Sequence, residues 1–80
     1  MINAYILIVV DSGAESKVKD LLKKFKQVQD LQIVYGEYDL VMKIQVNEMK
    51  NLQEFIMNNI RAIKQVQRTS TMICYENKEK

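Results

Sequence analysis

Hydrophobic positions in this chain change their period several times, and each change marks an element. Residues 4–10 (AYILIVV) are apolar without interruption, the pattern of a central strand covered on both faces. Apolar residues return as Val18, Leu21, Leu22 and Phe25, at i, i+3, i+4 and i+7, which is one stripe of a helix. Ser12-Gly13-Ala14-Glu15 has the S-x-x-E spacing of a capping box, so a serine-capped start is expected there. A second strand is expected over residues 28–35, a tight connection at Gly36 and a third strand over 39–46. Asn47 then caps a second helix with Met49, Leu52, Phe55, Ile56, Ile60 and Ile63 on its inner side. A last strand over 66–75 and a charged tail, ENKEK, complete the chain.

The two halves echo each other. Lys26-Gln27-Val28-Gln29 and Lys64-Gln65-Val66-Gln67 both occupy the passage from a helix end into a strand. The order β-α-β-β-α-β is the ferredoxin-like arrangement, an α+β fold whose four-stranded antiparallel sheet carries both helices on one face. Strand one is nevertheless apolar on both sides, with Ala4, Ile6, Ile8 and Val10 on one and Tyr5, Leu7 and Val9 on the other. Strand three carries Leu40, Met42, Ile44 and Val46 on one side and Val41, beside Lys43 and Gln45, on the other. An uncovered apolar sheet face is a sticky patch. A second copy packed sheet to sheet, a two-fold dimer, is the simplest cover.

Composition points the same way. Eighty residues make one domain, and a chain this short buries only about 60% of the surface it exposes when unfolded. Cys74 is the only cysteine and histidine is absent, so disulfides, ordinary zinc sites and histidine acid–base chemistry all fall away. Self-association remains as the means of stabilising a 48% apolar chain. A net charge of +2, dispersed, lacks the concentrated basic face that nucleic acid requires. The apolar N-terminus is too short to span a membrane and has no signal-peptide features. A soluble cytoplasmic protein, without metal or cofactor, is expected.

The candidate chemistry is sparse. Phosphate loops, nucleophile elbows and Cys-x-x-Cys pairs are all missing. Cys74 reads more readily as a small hydrophobe than as a nucleophile, and Tyr35 and Tyr38 as packing residues or as stacking platforms for a planar ligand. Glu37 and Asp39, two residues apart in a turn, make a poor acid–base pair. Thr69 and Thr71 alternate with Arg68, Ser70 and Met72, so both hydroxyls project from one strand face. A turn donated by a neighbouring subunit, facing those hydroxyls, has the chemistry to hold a zwitterion. Asp39 takes the ammonium, while backbone N–H groups and the hydroxyls take the carboxylate.

The run QVQDLQIVYGEYDLVMKIQVNEMKNLQEFI, followed by VQRTSTMICYE, resembles the effector (RAM) domain of the Lrp/AsnC regulators. Its marks are Val28 eight residues before Gly36, the G-x-x-D turn Gly36-Glu37-Tyr38-Asp39, the apolar run Leu40 to Ile44 and the Thr69-Ser70-Thr71 strand. The resemblance covers essentially the whole chain. It implies the βαββαβ fold and sheet-to-sheet dimers (a dimeric α+β barrel) that assemble into larger rings, often octamers. It also implies an amino acid or related effector bound between dimers. Carried over residue by residue, it nominates Tyr35, Gly36, Glu37, Tyr38 and Asp39 of one subunit, with Thr69 and Thr71 facing them. It departs from the family pattern at Lys64-Gln65, where a Pro or Gly is usual, and this bears on turn geometry. Residues 1–80 resemble a single stand-alone effector domain without the helix-turn-helix, and so without direct contact to DNA. The implied role is a non-enzymatic metabolic sensor in transcription regulation that co-assembles with full-length Lrp/AsnC regulators. Two alternatives stay open. One is a purely structural oligomerisation module. The other is a dimeric α+β barrel enzyme, though such enzymes often use histidine, tryptophan or haem and this chain has neither residue.

Overall fold

The computed structural model describes residues 1–75; the charged tail lies outside the described residues. The elements are β1 (Ile2–Val10), α1 (Glu15–Leu22), β2 (Val28–Ile33), β3 (Leu40–Val46), α2 (Met49–Phe55), a π turn (Ile56–Ile60) and β4 (Val66–Ile73). The strands form one antiparallel sheet in the order β2-β3-β1-β4. The fold is therefore the ferredoxin-like α+β arrangement, with the two longest apolar strands at its centre.

Alternation along those strands sorts the side chains. Ala4, Ile6, Ile8 and Val10 of β1 and Leu40, Met42, Ile44 and Val46 of β3 are all buried. They face Val18 and Leu22 of α1 and Leu52, Phe55 and Ile60 of the second helix in one core. Phe25 meets Phe55 edge to face, with ring centroids 5.4 Å apart and planes at 83°, an arrangement that suits the ring quadrupoles. On the opposite face Leu7, Val9 and Val41 are only half-buried, and Tyr5 and Met72 are exposed.

The repeat extends to the hydrogen bonds. After α1, the Phe25 N–H donates to Leu22 O and the Val28 N–H to Phe25 O; after α2, the Ile63 N–H donates to Ile60 O and the Val66 N–H to Ile63 O. The strands that follow both carry a bulge in their first turnings, between Val28 and Asp30 in β2 and opposite Val9/Val10 in β4. Lys-Gln-Val-Gln thus encodes the same helix exit twice, with Gln29 and Gln67 as the extra residues.

Local expectations differ from the structure at several points. Ser12 does not cap α1: the N-cap is Ala14, with no side-chain cap. Ser12 and Gly13 are consumed by a turn in which the Ala14 N–H donates to Asp11 O at 2.9 Å. Gly13 takes φ +85 there, the positive φ such a turn demands, so Glu15 becomes the first helical residue. The second helix is capped at Glu48 rather than Asn47, and its N–H donates to Asn51 Oδ1 at 3.1 Å. Leu21 stays 39% exposed, because it lies roughly 60° around the helix from Val18 and falls off the inward stripe. Met49 is likewise exposed. The outer strands end earlier than expected, at Ile33 and Ile73.

Candidate functional site

The connection from β2 to β3 is a loop of residues 35–38, closed by the Val34 N–H donating to Asp39 O at 2.9 Å. Gly36 adopts φ +137, a conformation almost confined to glycine. Asp39 is fastened twice to β1: its N–H donates to Ile8 O, and its Oδ2 accepts from the Val10 N–H, both at 2.9 Å. That second bond answers a local need. The β1–β3 pairing stops at Ile8–Leu40, two residues short of Val10, so a side chain takes up the N–H that Val10 turns towards β3. Among the described residues Asp39 Oδ1 has no hydrogen-bond donor.

A cleft of about 440 Å³ opens beside this turn, lined by Tyr35, Gly36 and Asp39 together with Glu15, Ser16, Ile33 and Val34. Glu15 and Ser16 belong to the first turn of α1, where helical N–H groups lack intrahelical acceptors. The cleft therefore combines two carboxylates, from Glu15 and Asp39, with backbone donors and a fully exposed tyrosine ring at its rim. Oxygens of one sign beside outward N–H groups can hold the two ends of a zwitterion.

The other nominated residues lie apart from it. Glu37 is exposed and outside the cleft lining. Tyr38 turns across the end of β1, where the Arg68 guanidinium sits 5.4 Å from its ring centroid. Thr69 and Thr71 pair with Ile8 and Ile6, which puts them on the helix-covered face of the edge strand β4, opposite Arg68. Within one chain the turn and the threonines do not converge. Glu15 and Ser16 were not nominated from the sequence; S-x-x-E was the available signal, and it marks the right segment for another reason. Among the described residues no three His, Cys, Asp or Glu side chains cluster as metal ligands.

The strand order and the two helices on one face define a ferredoxin-like α+β domain with a cleft at the β2–β3 turn. The chain belongs to the Lrp/AsnC ligand binding domain family, whose description matches residues 3–80. Among curated relatives, the HTH-type transcriptional regulator FL11 of Pyrococcus furiosus is 35% identical over 70 residues, covering 88% of this chain and 46% of its own length. The chain thus spans about half the length of the curated relatives it matches. Among solved structures, FFRP-DM1 superposes with a TM-score of 0.90 at 40% identity, covering 92% of this chain and 99% of that one. A Neisseria meningitidis transcriptional regulator solved in complex with L-Met shares the fold, with a TM-score of 0.88 at 15% identity over 99% of this chain and 53% of that one. Among the described residues no helix is long and apolar enough to cross a membrane.

Proposed function

We propose that this domain binds an amino acid or a closely related small molecule and self-associates, acting as a sensor module of Lrp/AsnC-type transcription regulation. The observation that carries the reading is the cleft at the G-x-x-D turn, which offers the free Oδ1 of Asp39 and the Glu15 carboxylate for an ammonium group. Backbone donors of the turn and of α1, with Thr69 and Thr71 of a neighbouring copy, receive the ligand carboxylate. The family and the L-Met complex of the Neisseria relative support the ligand class. The half-buried face around Leu7, Val9 and Val41 supports a sheet-to-sheet homodimer, with dimers meeting at the turn in a larger ring that can admit full-length regulators. No bond is made or broken in this role. The ligand acts by linkage, favouring the assembly state for which it has the higher affinity.

A second reading has its own support. The Asp39 carboxylate already serves the fold through Val10, as it would in a purely structural oligomerisation module. Thermal shift and sedimentation across the twenty amino acids separate the two readings. A ligand at about 100 times its Kd adds about 2.7 kcal/mol of stability, so the sensor reading expects at least one amino acid to raise the melting temperature and alter assembly. If none does so, the structural reading replaces it. Asp39→Asn is the informative variant, because it retains an acceptor for Val10 and removes the charge offered to the ammonium.

A further inference from the structure

Two clefts adjoin at the open end of the β2–β3 hairpin, the end remote from the Tyr35–Asp39 turn. One, of about 300 Å³, is lined in part by Lys26, Gln27, Asn47 and Asn51. The other, of about 280 Å³, is lined by Gln27, Asn51, Glu54, Phe55, Asn58 and Asn59. Gln27 and Asn51 border both, so the two form one groove. One wall is the exit from α1, pinned where the Gln45 N–H donates to Gln27 O at 2.9 Å. The other is a flank of the second helix, where Asn51, Glu54 and Asn58 recur every three to four residues beside the buried Leu52 and Phe55.

Carboxamides predominate in this lining, and most are uncommitted. Asn51 Oδ1 accepts from the Glu48 N–H at 3.1 Å, which fixes that side chain and leaves its NH2 as a donor. Among the described residues the side chains of Gln27, Asn47, Asn58 and Asn59 make no hydrogen bond within the chain. Asparagine is a weak helix former, yet two stand in succession inside the π turn, which the Arg61 N–H closes on Ile56 O at 2.8 Å. Such turns are rare and recur at functional sites. The groove shares no residue with the cleft at the G-x-x-D turn.

We propose that this groove binds a small uncharged polyol, a mono- or disaccharide. The polar groups select the class. Asn51 has donors to spare and Glu54 only acceptors, and at i and i+3 the two are neighbours on the helix surface. A ligand group that bridges them must give and take a hydrogen bond at one atom, as a hydroxyl does. The paired NH2 and C=O of Gln27, Asn58 and Asn59 suit adjacent hydroxyls in the same way. Charge favours neither sign, since Lys26 borders one lobe and Glu54 the other. An extended peptide needs pockets for its side chains, whereas the apolar lining residues Val46 and Phe55 are only 6% and 3% exposed. Each lobe lies at the lower bound of small-molecule sites, which limits the ligand to one or two sugar rings. The site stands independently of the amino-acid reading.

The test is a titration of isotopically labelled protein with glucose, galactose, ribose and trehalose, followed by NMR at the side-chain NH2 groups of Gln27, Asn51, Asn58 and Asn59. Saturable shifts of those groups by at least one sugar are expected, with the Gly36 amide unmoved. Asn58→Ala and Glu54→Gln, both at exposed positions, should each weaken binding about two- to tenfold. Gln53→Ala, on the same helix but outside the lining, should leave it unchanged. Circular dichroism of each variant keeps loss of binding distinct from loss of fold. Shifts that saturate with none of the sugars, or that glycerol reproduces at equal hydroxyl concentration, would overturn the site. So would undiminished binding by both Asn58→Ala and Glu54→Gln. A parallel titration with tetraglycine tests backbone recognition: saturation by that peptide and by no sugar would overturn the polyol assignment in favour of a peptide ligand.

Discussion

Replacing Asp39 separates what its carboxylate does for the fold from what it offers a ligand. Asp39→Ala deletes the acceptor that Val10 N–H reaches at 2.9 Å. Val10 is 5% exposed and lies two residues beyond the last β1–β3 pair, Ile8–Leu40, so no strand carbonyl stands ready to replace the lost oxygen. A buried donor left unpaired costs about 1–3 kcal/mol; this bond is part-buried, which favours the lower half, about 1–2 kcal/mol. In a domain of this length each kcal/mol lowers Tm by about 4–8 °C, so the alanine variant should melt about 4–16 °C below the parent. Asp39→Asn keeps an oxygen in place but loses the charge assistance, which makes such a bond roughly twice as strong as a neutral one. Its loss should stay below about 1 kcal/mol. The assay is thermal unfolding by circular dichroism at one protein concentration, since association itself contributes to apparent stability. Coincident midpoints for parent, alanine and asparagine variants would refute the argument that Asp39 latches the end of β1. An asparagine variant that keeps its midpoint but loses its response to amino acids would locate the carboxylate charge in ligand binding.

Three other substitutions probe the frame around that latch. Gly36→Ala meets no atom within 4 Å of the new Cβ, yet the φ of +137 strains it, so a loss of about 1–3 kcal/mol is expected; an unchanged melting curve would show that the loop accepts another backbone. Phe25→Leu and Phe55→Leu in a double-mutant cycle should reveal a coupling of about 0.5–1.5 kcal/mol, and additive losses would mean that the edge-to-face contact at 5.4 Å contributes only buried area. Leu7→Glu places a charge at the centre of the half-buried sheet face and should shift sedimentation to the monomer, with native circular dichroism retained. A dimer that survives this change would move the proposed interface elsewhere.

How far the sequence foretold this molecule depended on the range of the interaction involved. Every inward residue expected of the two central strands, from Ala4 to Val10 and from Leu40 to Val46, is buried, because alternation on a pleated strand is a local property. The serine cap expected at Ser12 fails for an equally physical reason: S-x-x-E describes a cap only if serine stands at the N-cap, and the turn at Gly13 moves the helix start past it. The candidate site was legible in its turn and not in its neighbours. Asp39 and Val10 lie 29 residues apart, and what joins them is the end of the pairing of β1 with β3 at Ile8–Leu40. No pattern near Asp39 encodes that. Tyr38 meets Arg68, and Asp39 shares a cleft with Glu15, for the same kind of reason, since the packing of elements distant in the chain brings them together.

That long-range bond also bears on the proposed mechanism. One carboxylate oxygen holds Val10 and Asp39 lines the cleft, so on the proposed reading a ligand ammonium on Oδ1 would draw on the group that fixes the end of β1. The strand it fixes carries Ile8 and Val10 into the core and Leu7 and Val9 onto the open face. On the proposed reading, binding at the turn and packing at the sheet face act on the same four residues of backbone. Linkage between ligand and assembly then needs no hinge or moving domain. It requires only that the two assembly states hold the end of β1 differently, and the Asp39→Asn variant, measured for ligand response and sedimentation together, tests that requirement directly.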